Sequence, residues 1–259
     1  MSNPQILYQD LSSMNPISLY DNTSYPLSNL KTYEPTEIFK SSSLEEQILD
    51  FEFTITANRN TIAIINHNLN SLVAAPDPGT HYITIESSTE STFAQTTTLL
   101  EEHPPNNNSL WCKTFNATSE RFFRISLIGG APLLAQQPYF GNVFIGKSIE
   151  FNSPQDYSFT NDDEYETYSF ITLNGSRKSS QIIGPSRTIS LNFRLQNEAI
   201  RTLLIQFLQT IRGSYRPFVF IDSDGVAHYV NLVDDNFDIT TMNYQRHDFQ
   251  LNMKEHNSK

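Results

Sequence analysis

The sequence predicts a mainly β protein in two parts: an N-terminal jelly-roll-like β-sandwich, then a small β-rich α+β domain with one amphipathic helix. Three observations predict this fold class. Most apolar runs are short and alternate with polar residues, which is the period of a half-buried strand. Only one segment has the apolar spacing of a strong helix. A polar, turn-rich stretch at residues 152–165 separates the two parts.

The first 47 residues are predicted to form an ordered but irregular arm. Residues 1–47 mix Pro, Asn, Ser and Tyr without a helical period, yet large apolar side chains recur too often for a fully solvated segment. Aromatic and aliphatic anchors of this kind suit a protein interface. We therefore expect Tyr8, Leu11, Tyr20 and Tyr25 to contact a neighbouring subunit.

Residues 48–152 are predicted to form the β-sandwich. Strand-like runs occupy residues 49–56, 61–66, 81–86, 122–128 and 142–147. The run at residues 61–65 is apolar on both faces, which is typical of a central strand. Residues 97–120 and 129–139 are rich in loops. Short strands joined by wide loops favour jelly-roll-like connections.

Residues 153–259 are predicted to form the α+β domain, and its helix is the clearest element in the sequence. Apolar residues recur at i, i+3 and i+4 spacing from Ala199 to Ile211, and Gly213 follows where a left-handed C-terminal cap belongs. Alternating strands are predicted before and after the helix, at residues 188–195, 217–221, 227–233 and 249–253. Arg177 and Lys178 form one of the few basic spots and are further candidates for a partner contact.

The composition excludes several classes of function. Seventeen Lys and Arg against 28 Asp and Glu give a net charge of −11, whereas nucleic-acid binding needs a basic surface. The single cysteine, Cys112, excludes an intramolecular disulfide and a cysteine-based zinc site, and its apolar neighbours favour a buried, inert thiol. No run approaches the ~18 apolar residues of a membrane helix, and the first residues do not resemble a signal peptide. We therefore expect synthesis in a cytoplasm without membrane insertion.

No catalytic or cofactor-binding motif occurs, so we expect neither an enzyme nor a cofactor. Residues 222–225 (Asp-Ser-Asp-Gly) resemble the start of a calcium loop but lack the later Gly and Glu of an EF-hand, so a hairpin turn is predicted. Asp234, Asp235 and Asp238 could supply paired carboxylates for glycoside hydrolysis or bind a metal. A solvated loop is the simpler interpretation of these three residues.

Three residues are candidates for binding a sugar. His67 lies at the exit of the predicted central strand, where its imidazole could bond sugar hydroxyls or act as a general base, and Asn68 follows it. Trp111 could stack on a sugar ring. The alternative for His67 and Asn68 is a structural role in satisfying backbone groups at the strand end, and the alternative for Trp111 is a place in the core.

Four short motifs occur in order along the first half of the chain: Tyr25-Pro26-Leu27-Ser28-Asn29-Leu30, Ile62-Ala63-Ile64-Ile65-Asn66-His67-Asn68-Leu69, Arg121-Phe122-Phe123-Arg124-Ile125 and Phe140-Gly141-Asn142-Val143-Phe144-Ile145-Gly146-Lys147. Their order resembles the discoidin, or galactose-binding-like, β-sandwich of tailed-bacteriophage tail proteins. In that family a yPxxNL segment, a strand ending in HNL, an aromatic-Arg strand and a closing G-x-x-x-x-G strand recur. The resemblance covers roughly residues 20–150, and the second half is similar to the C-terminal portion of the same proteins.

The resemblance implies a virion protein of the tail tip, distal tail or baseplate, synthesised in the host bacterial cytoplasm. It further implies a symmetric ring of copies that contacts other phage tail proteins. The function predicted first is therefore a non-enzymatic structural component that assembles through protein–protein contacts. The alternative is a carbohydrate-binding module that recognises a host cell-surface glycan through His67, Asn68 and Trp111. A glycan-degrading enzyme that uses two of the three aspartates comes third.

Overall fold

A computed structural model provides the structure of the chain. It describes residues 3–45, 47–72, 82–103, 105–107, 109–128, 134, 136–151, 157–164, 167–171, 177–181, 186–234, 239–243 and 246–256. The chain divides into two compact units, which are residues 7–148 and residues 1–6 together with 149–259.

The first unit is a β-sandwich. The N-terminal strand β1 (Gln5–Leu7) belongs to the sheet of the second unit. The strands of the sandwich are β2 (Met14–Ser18), β3 (Phe39–Lys40), β4 (Gln47–Phe53), β5 (Arg59–His67), β6 (Tyr82–Ser88), β7 (Thr97–Glu102), β8 (Leu110–Thr118), β9 (Phe122–Ile128) and β10 (Tyr139–Gly146). One antiparallel sheet has the order β2-β4-β9-β6-β7 and the other has the order β3-β10-β5-β8. Among the described residues of this unit, three short 3-10 helices lie between strands, at Leu11–Ser13, Leu27–Lys31 and Leu69–Ser71.

The core of the sandwich is built mainly from phenylalanine and isoleucine. Phe53 and Phe123 meet edge to face on neighbouring strands, with 5.6 Å between ring centroids, and Phe115 reaches Phe123 from the other sheet at 6.4 Å. The central position predicted for residues 61–65 is confirmed, because β5 pairs with β10 on one side and β8 on the other. Both of its faces are buried.

The structure differs from the sequence prediction at the N-terminal arm. Residues 7–47 belong to the sandwich, because β2 extends the five-stranded sheet and β3 the four-stranded sheet. Leu11, Leu30 and Phe39 are fully buried. The apolar anchors of the arm therefore fill a core within the same chain, and only residues 1–6 leave this unit. Pro16 is accommodated in β2 because this strand lies at the edge of its sheet.

A second difference concerns the segment predicted to be rich in loops. Residues 97–120 contain two strands, β7 and β8, whose many threonines and polar residues obscure the alternation. β8 pairs with the central strand β5 along most of its length, so it is an integral part of the sandwich. Of residues 129–139, only part lies within the described residues.

The second unit is an α+β domain. Its further elements are β11 (Ser148–Glu150), β12 (Tyr157–Glu164), β13 (Thr167–Ile171), β14 (Arg177–Gln181), β15 (Ser186–Asn197), α1 (Glu198–Ile211), β16 (Phe218–Ile221), β17 (Ala227–Leu232), β18 (Ile239–Asn243) and β19 (Arg246–Glu255). Its large sheet has the order β11-β1-β16-β17-β19-β15-β12, with β18 paired to β19, and β13 and β14 form a separate hairpin. β11 joins this sheet, so the units divide after residue 148 rather than in the polar stretch that follows.

The predicted helix is confirmed. Its first turn is capped by Asn197, whose Oδ1 accepts a hydrogen bond from the Ile200 N–H at 2.9 Å. The apolar stripe buries Ile200, Leu204, Phe207 and Ile211. The left-handed cap is Arg212, one residue before the predicted Gly213, which also has a positive φ. In the part of the chain that the structure describes, no helix combines the length and apolarity needed to cross a membrane.

Candidate functional site

His67, predicted as a possible sugar contact, is completely buried at the end of β5. Its Nδ1 accepts a hydrogen bond from the Leu69 N–H at 3.3 Å, which places the ring proton of the neutral form on Nε2. Within the described residues Nε2 has no hydrogen-bond partner. Burial penalises the charged imidazolium and lowers the pKa of His67 to about 4. His67 is therefore a neutral core residue whose accepting nitrogen supports the chain as it leaves the sheet.

Asn68 supports the start of β10. Its Nδ2 donates to the Gln137 carbonyl and its Oδ1 accepts from the Tyr139 N–H, both at 2.9 Å. Both functional groups of the side chain are thus committed to backbone atoms of a neighbouring segment. The amide is also almost fully buried, so the structure gives Asn68 the structural role that was the alternative to sugar binding.

Trp111 is 4% exposed. It pairs with Ile64 across β8 and β5, so the two side chains share the inner face of the sandwich. A stacking platform needs an exposed ring face, and Trp111 has none here. The structure therefore corrects the glycan-binding prediction at all three residues, because each one lies beneath the surface.

Cys112 lies next to Trp111 on β8 and is a free thiol. Burial raises its pKa to about 12, with a small opposing effect from Lys113. The thiolate is the reactive form of cysteine, so this environment fits the inert thiol expected from the sequence.

The described residues of the two acidic motifs form a turn and an exposed strand end. The Oδ1 atom of Asp222 accepts from the N–H groups of Asp224 and Val226, at 2.9 and 2.8 Å, in the turn that joins β16 to β17. Residues 222–225 therefore form the predicted hairpin turn. Asp234 is exposed and accepts from the Asn252 amide, while Asp235 and Asp238 lie outside the described residues. Where the structure describes the chain, no cluster of three metal-ligating side chains occurs.

One cluster in the second unit has the order hydroxyl, imidazole, carboxylate. His247 Nδ1 lies 3.2 Å from Thr241 Oγ1, and its Nε2 lies 2.6 Å from Glu198 Oε2. The other oxygen of Glu198 accepts from Arg201, and hydrogen bonds from Arg201 and His247 lower the pKa of Glu198. Thr241 and His247 are register partners on β18 and β19. This cluster therefore ties the first turn of α1 to the β18–β19 hairpin.

Arg59 is a buried cation that the sequence did not single out. Its guanidinium donates to the carbonyl groups of Ile55, Ala57 and Glu120, at 2.9, 3.0 and 3.3 Å. It also lies 3.8 Å above the Phe53 ring. Burial lowers its pKa to about 10. These contacts close one end of the sandwich core.

The residues predicted to contact a partner have different positions in the structure. Leu11 is buried in the sandwich and cannot contact a partner, which corrects that prediction. Tyr8 is half-buried, and the Tyr20 hydroxyl donates to Glu45 at 2.6 Å. Tyr25 is exposed. Arg177 and Lys178 lie on β14, but their side chains fall outside what the structure describes.

Two neighbouring segments carry four exposed apolar side chains, Ile17, Leu19, Tyr25 and Leu44, which we name together the loop patch. Their exposed fractions are 51%, 87%, 43% and 36%. The two segments that carry them are joined by hydrogen bonds from the Ser42 N–H to the Tyr20 carbonyl and from the Lys40 N–H to the Tyr25 carbonyl. The loop patch thus consists of exposed apolar side chains on two hydrogen-bonded segments, the first of which begins in the edge strand β2.

A shallow cavity of about 270 Å³ lies on the large sheet of the second unit, and we name it the polar groove. Five polar residues line it together with Phe193 and Phe249: Asn192, Arg194, Thr240, Asp248 and Gln250. A guanidinium, a carboxylate, a hydroxyl and two amides therefore meet in one depression. Sequence reasoning missed this groove because its residues come from three strands whose pairing is not visible in the sequence.

Comparison with known proteins gives structural resemblance alone. No family model matches the chain, and no curated protein matches it. The chitosan-binding module 1 of a chitosanase/glucanase from Paenibacillus sp. IK-5 is 14% identical, with a TM-score of 0.43 over 54% of this chain and 100% of that one. The family 32 carbohydrate-binding module of Clostridium perfringens NanJ, solved with galactose, is 14% identical, with a TM-score of 0.41 over 56% and 99%.

A third similar structure is CpGH89CBM32-5 from Clostridium perfringens, in complex with GalNAc-β-1,3-galactose. It is 12% identical, with a TM-score of 0.39 over 55% of this chain and 99% of that one. All three are carbohydrate-binding modules. TM-scores at this level do not decide function for this chain, whose mainly β fold follows from the strand pairing described above.

Proposed function

We propose that this chain is a non-enzymatic structural protein that assembles with further copies of itself through the loop patch. The observation that carries the proposal is the exposure of Leu19, at 87%, together with Ile17, Tyr25 and Leu44 on two segments that backbone hydrogen bonds join. Contiguous apolar surface on a folded protein marks an interaction site more often than single exposed residues do. Burying one side chain such as Leu19 contributes about 1.5–3 kcal/mol.

The setting of this assembly comes from the sequence resemblance. It implies the tail of a bacteriophage, at the tail tip, distal tail or baseplate, with copies of the chain in a symmetric ring beside other tail proteins. The expected location is therefore the virion. Because His67, Asn68 and Trp111 are buried, they offer the sandwich no exposed groups for binding a sugar.

Sedimentation velocity over a range of protein concentrations tests the proposal. We expect the wild-type chain to self-associate as concentration rises, and added salt to strengthen association. Salt screens the repulsion between copies of net charge −11 and leaves apolar contacts intact. Leu19→Asp should remain a folded monomer.

Val226→Asp is the matched control, because Val226 is also an exposed apolar residue, at 52%, but lies in a hairpin turn of the second unit. It should associate like the wild type. A wild-type chain that stays monomeric at every concentration and salt level would count against the proposal. Equal loss of association in both variants would do the same.

A further inference from the structure

The five polar residues of the polar groove share one face of the large sheet. Asn192 pairs with Gln250 across β15 and β19, and Thr240 pairs with Asp248 across β18 and β19. Partner residues in an antiparallel pair project to the same side, and so do residues two apart on one strand. Phe193 and Phe249, which alternate with the polar residues, have rings that stack on each other in the buried core.

A β-bulge shapes one end of this groove. The register of β15 against β19 shifts between Phe193 and Gln196, and Arg194 lies within the shifted segment. Bulges bend a strand, increase its twist and redirect side chains, and they are frequent beside functional sites. Arg194 is exposed there and forms no ion pair with any residue that the structure describes.

The opposite wall of the groove is held in place by hydrogen bonds. Gln250 Nε2 donates to Asn252 Oδ1 at 3.0 Å, and Asn252 Nδ2 donates to Asp234 Oδ2 at 3.4 Å. These two hydrogen bonds in series orient the Gln250 carboxamide. Its oxygen is then available as an acceptor beside Asp248.

These groups fit a polyhydroxylated ligand. Arg194 can only donate hydrogen bonds, ionised Asp248 can only accept them, and the hydroxyl and amides do both. Neighbouring hydroxyls of a sugar ring likewise donate and accept. The charges of Arg194 and Asp248 cancel, which favours a neutral ligand over a phosphate. The volume of about 270 Å³ is just below the range of ~300–1,000 Å³ for drug-sized sites, and it suits about one ring.

We propose that the polar groove of the second unit binds one neutral sugar residue of a glycan. The site is on the α+β unit, and it uses none of the three residues of the sandwich that the sequence suggested for sugar binding. It does not depend on the assembly role of the loop patch, because the two surfaces consist of different residues in different units.

Saturation-transfer NMR on the full-length chain tests this site with methyl glycosides of galactose, N-acetylgalactosamine, glucose and mannose. We expect at least one of them to bind with a dissociation constant in the millimolar range, as is reasonable for a shallow groove. Arg194→Gln and Asp248→Asn should each weaken binding about tenfold, since each removes charge-assisted hydrogen bonds. Glucuronic acid and inorganic phosphate should bind more weakly than the neutral sugar.

Two control variants make the same charge changes elsewhere in the unit. Arg212→Gln lies at the helix C-terminus and Asp224→Asn lies in the exposed hairpin turn, and both should bind like the wild type. Binding by none of the sugars would overturn the proposal. So would tighter binding of phosphate, or equal weakening in groove and control variants. If Asp248→Asn does not fold, the exposed Arg194→Gln decides the outcome alone.

Discussion

Acidification should destabilise the sandwich through one residue, His67. In the folded chain its pKa is lowered to about 4 by burial, while an imidazole in the unfolded chain keeps the ordinary value of 6.5. The unfolded state therefore binds the proton more readily. The contribution of neutral His67 to the free energy of unfolding is fully present above the unfolded pKa of 6.5. It is lost as the pH falls from 6.5 towards 4.

The size of this effect follows from the two pKa values. Each pKa unit between folded and unfolded states is worth about 1.4 kcal/mol, so His67 accounts for about 3 kcal/mol of unfolding free energy in total. Most of the loss due to His67 falls at pH values where unfolding is readily measured. Between about pH 7 and about pH 5 the expected loss is about 2 kcal/mol.

Urea unfolding at these two pH values measures the loss, and the single Trp111, buried in the same sheet, reports it by fluorescence. His67→Asn is the informative variant, because the Asn oxygen can still accept from the N–H two residues later. It should lose about 2 kcal/mol less than the wild type over this range, whatever its starting stability. His103→Asn, at an exposed site, should lose as much as the wild type. An equal pH dependence in His67→Asn and wild type would refute the reasoning.

Three further substitutions and one reaction rate have defined outcomes. Arg59→Met removes the buried guanidinium from the Phe53 ring and from three part-buried carbonyl groups, so urea unfolding should show a loss of about 2 kcal/mol, and an unchanged midpoint would contradict this. Gly141→Ala places a Cβ 2.5 Å from the Pro35 carbonyl oxygen, and a loss of about 3 kcal/mol is expected. Gly225→Ala, with nothing within 4 Å but a φ of +80°, should lose only about 1–2 kcal/mol. Cys112 is half-buried with its pKa raised to about 12, so it should react with a thiol reagent far more slowly in the native chain than in urea, and equal rates would contradict the raised pKa.

The fold class was predictable because local pattern and burial agree for the main elements. Residues 61–65 are apolar on both faces, and the central strand β5 follows from that alone. The i, i+3, i+4 spacing likewise predicts α1. β7 and β8 could not be predicted with the same ease, because threonine and polar residues occupy positions that face solvent on strands near a sheet edge.

The binding residues were harder to predict, because the sequence shows the chemical type of each side chain but not whether it faces the core or the solvent. Trp111 lies on a strand whose alternation is obscured by polar residues, and only its 4% exposure in the structure shows that the ring is buried. Leu11 and Leu19 look alike in the sequence, yet one is fully buried and the other is 87% exposed. Whether an apolar anchor contacts its own chain or another one depends on the path of the backbone.

The motifs behind the family resemblance turn out to be structural. Asn29 donates to the Ile38 carbonyl at 2.8 Å, and Asn68 braces the start of β10. Gly141 allows the Pro35 carbonyl to approach its backbone closely. Such residues specify a sandwich, so they carry little information about what its surface binds.

Hydrogen–deuterium exchange of the full chain at low and high protein concentration tests assembly through the loop patch most directly. At high concentration, added protection should be confined to residues 17–25 and 40–45, the two segments that carry Ile17, Leu19, Tyr25 and Leu44. Protection that does not change with concentration, or that increases elsewhere while these segments exchange freely, would contradict the account.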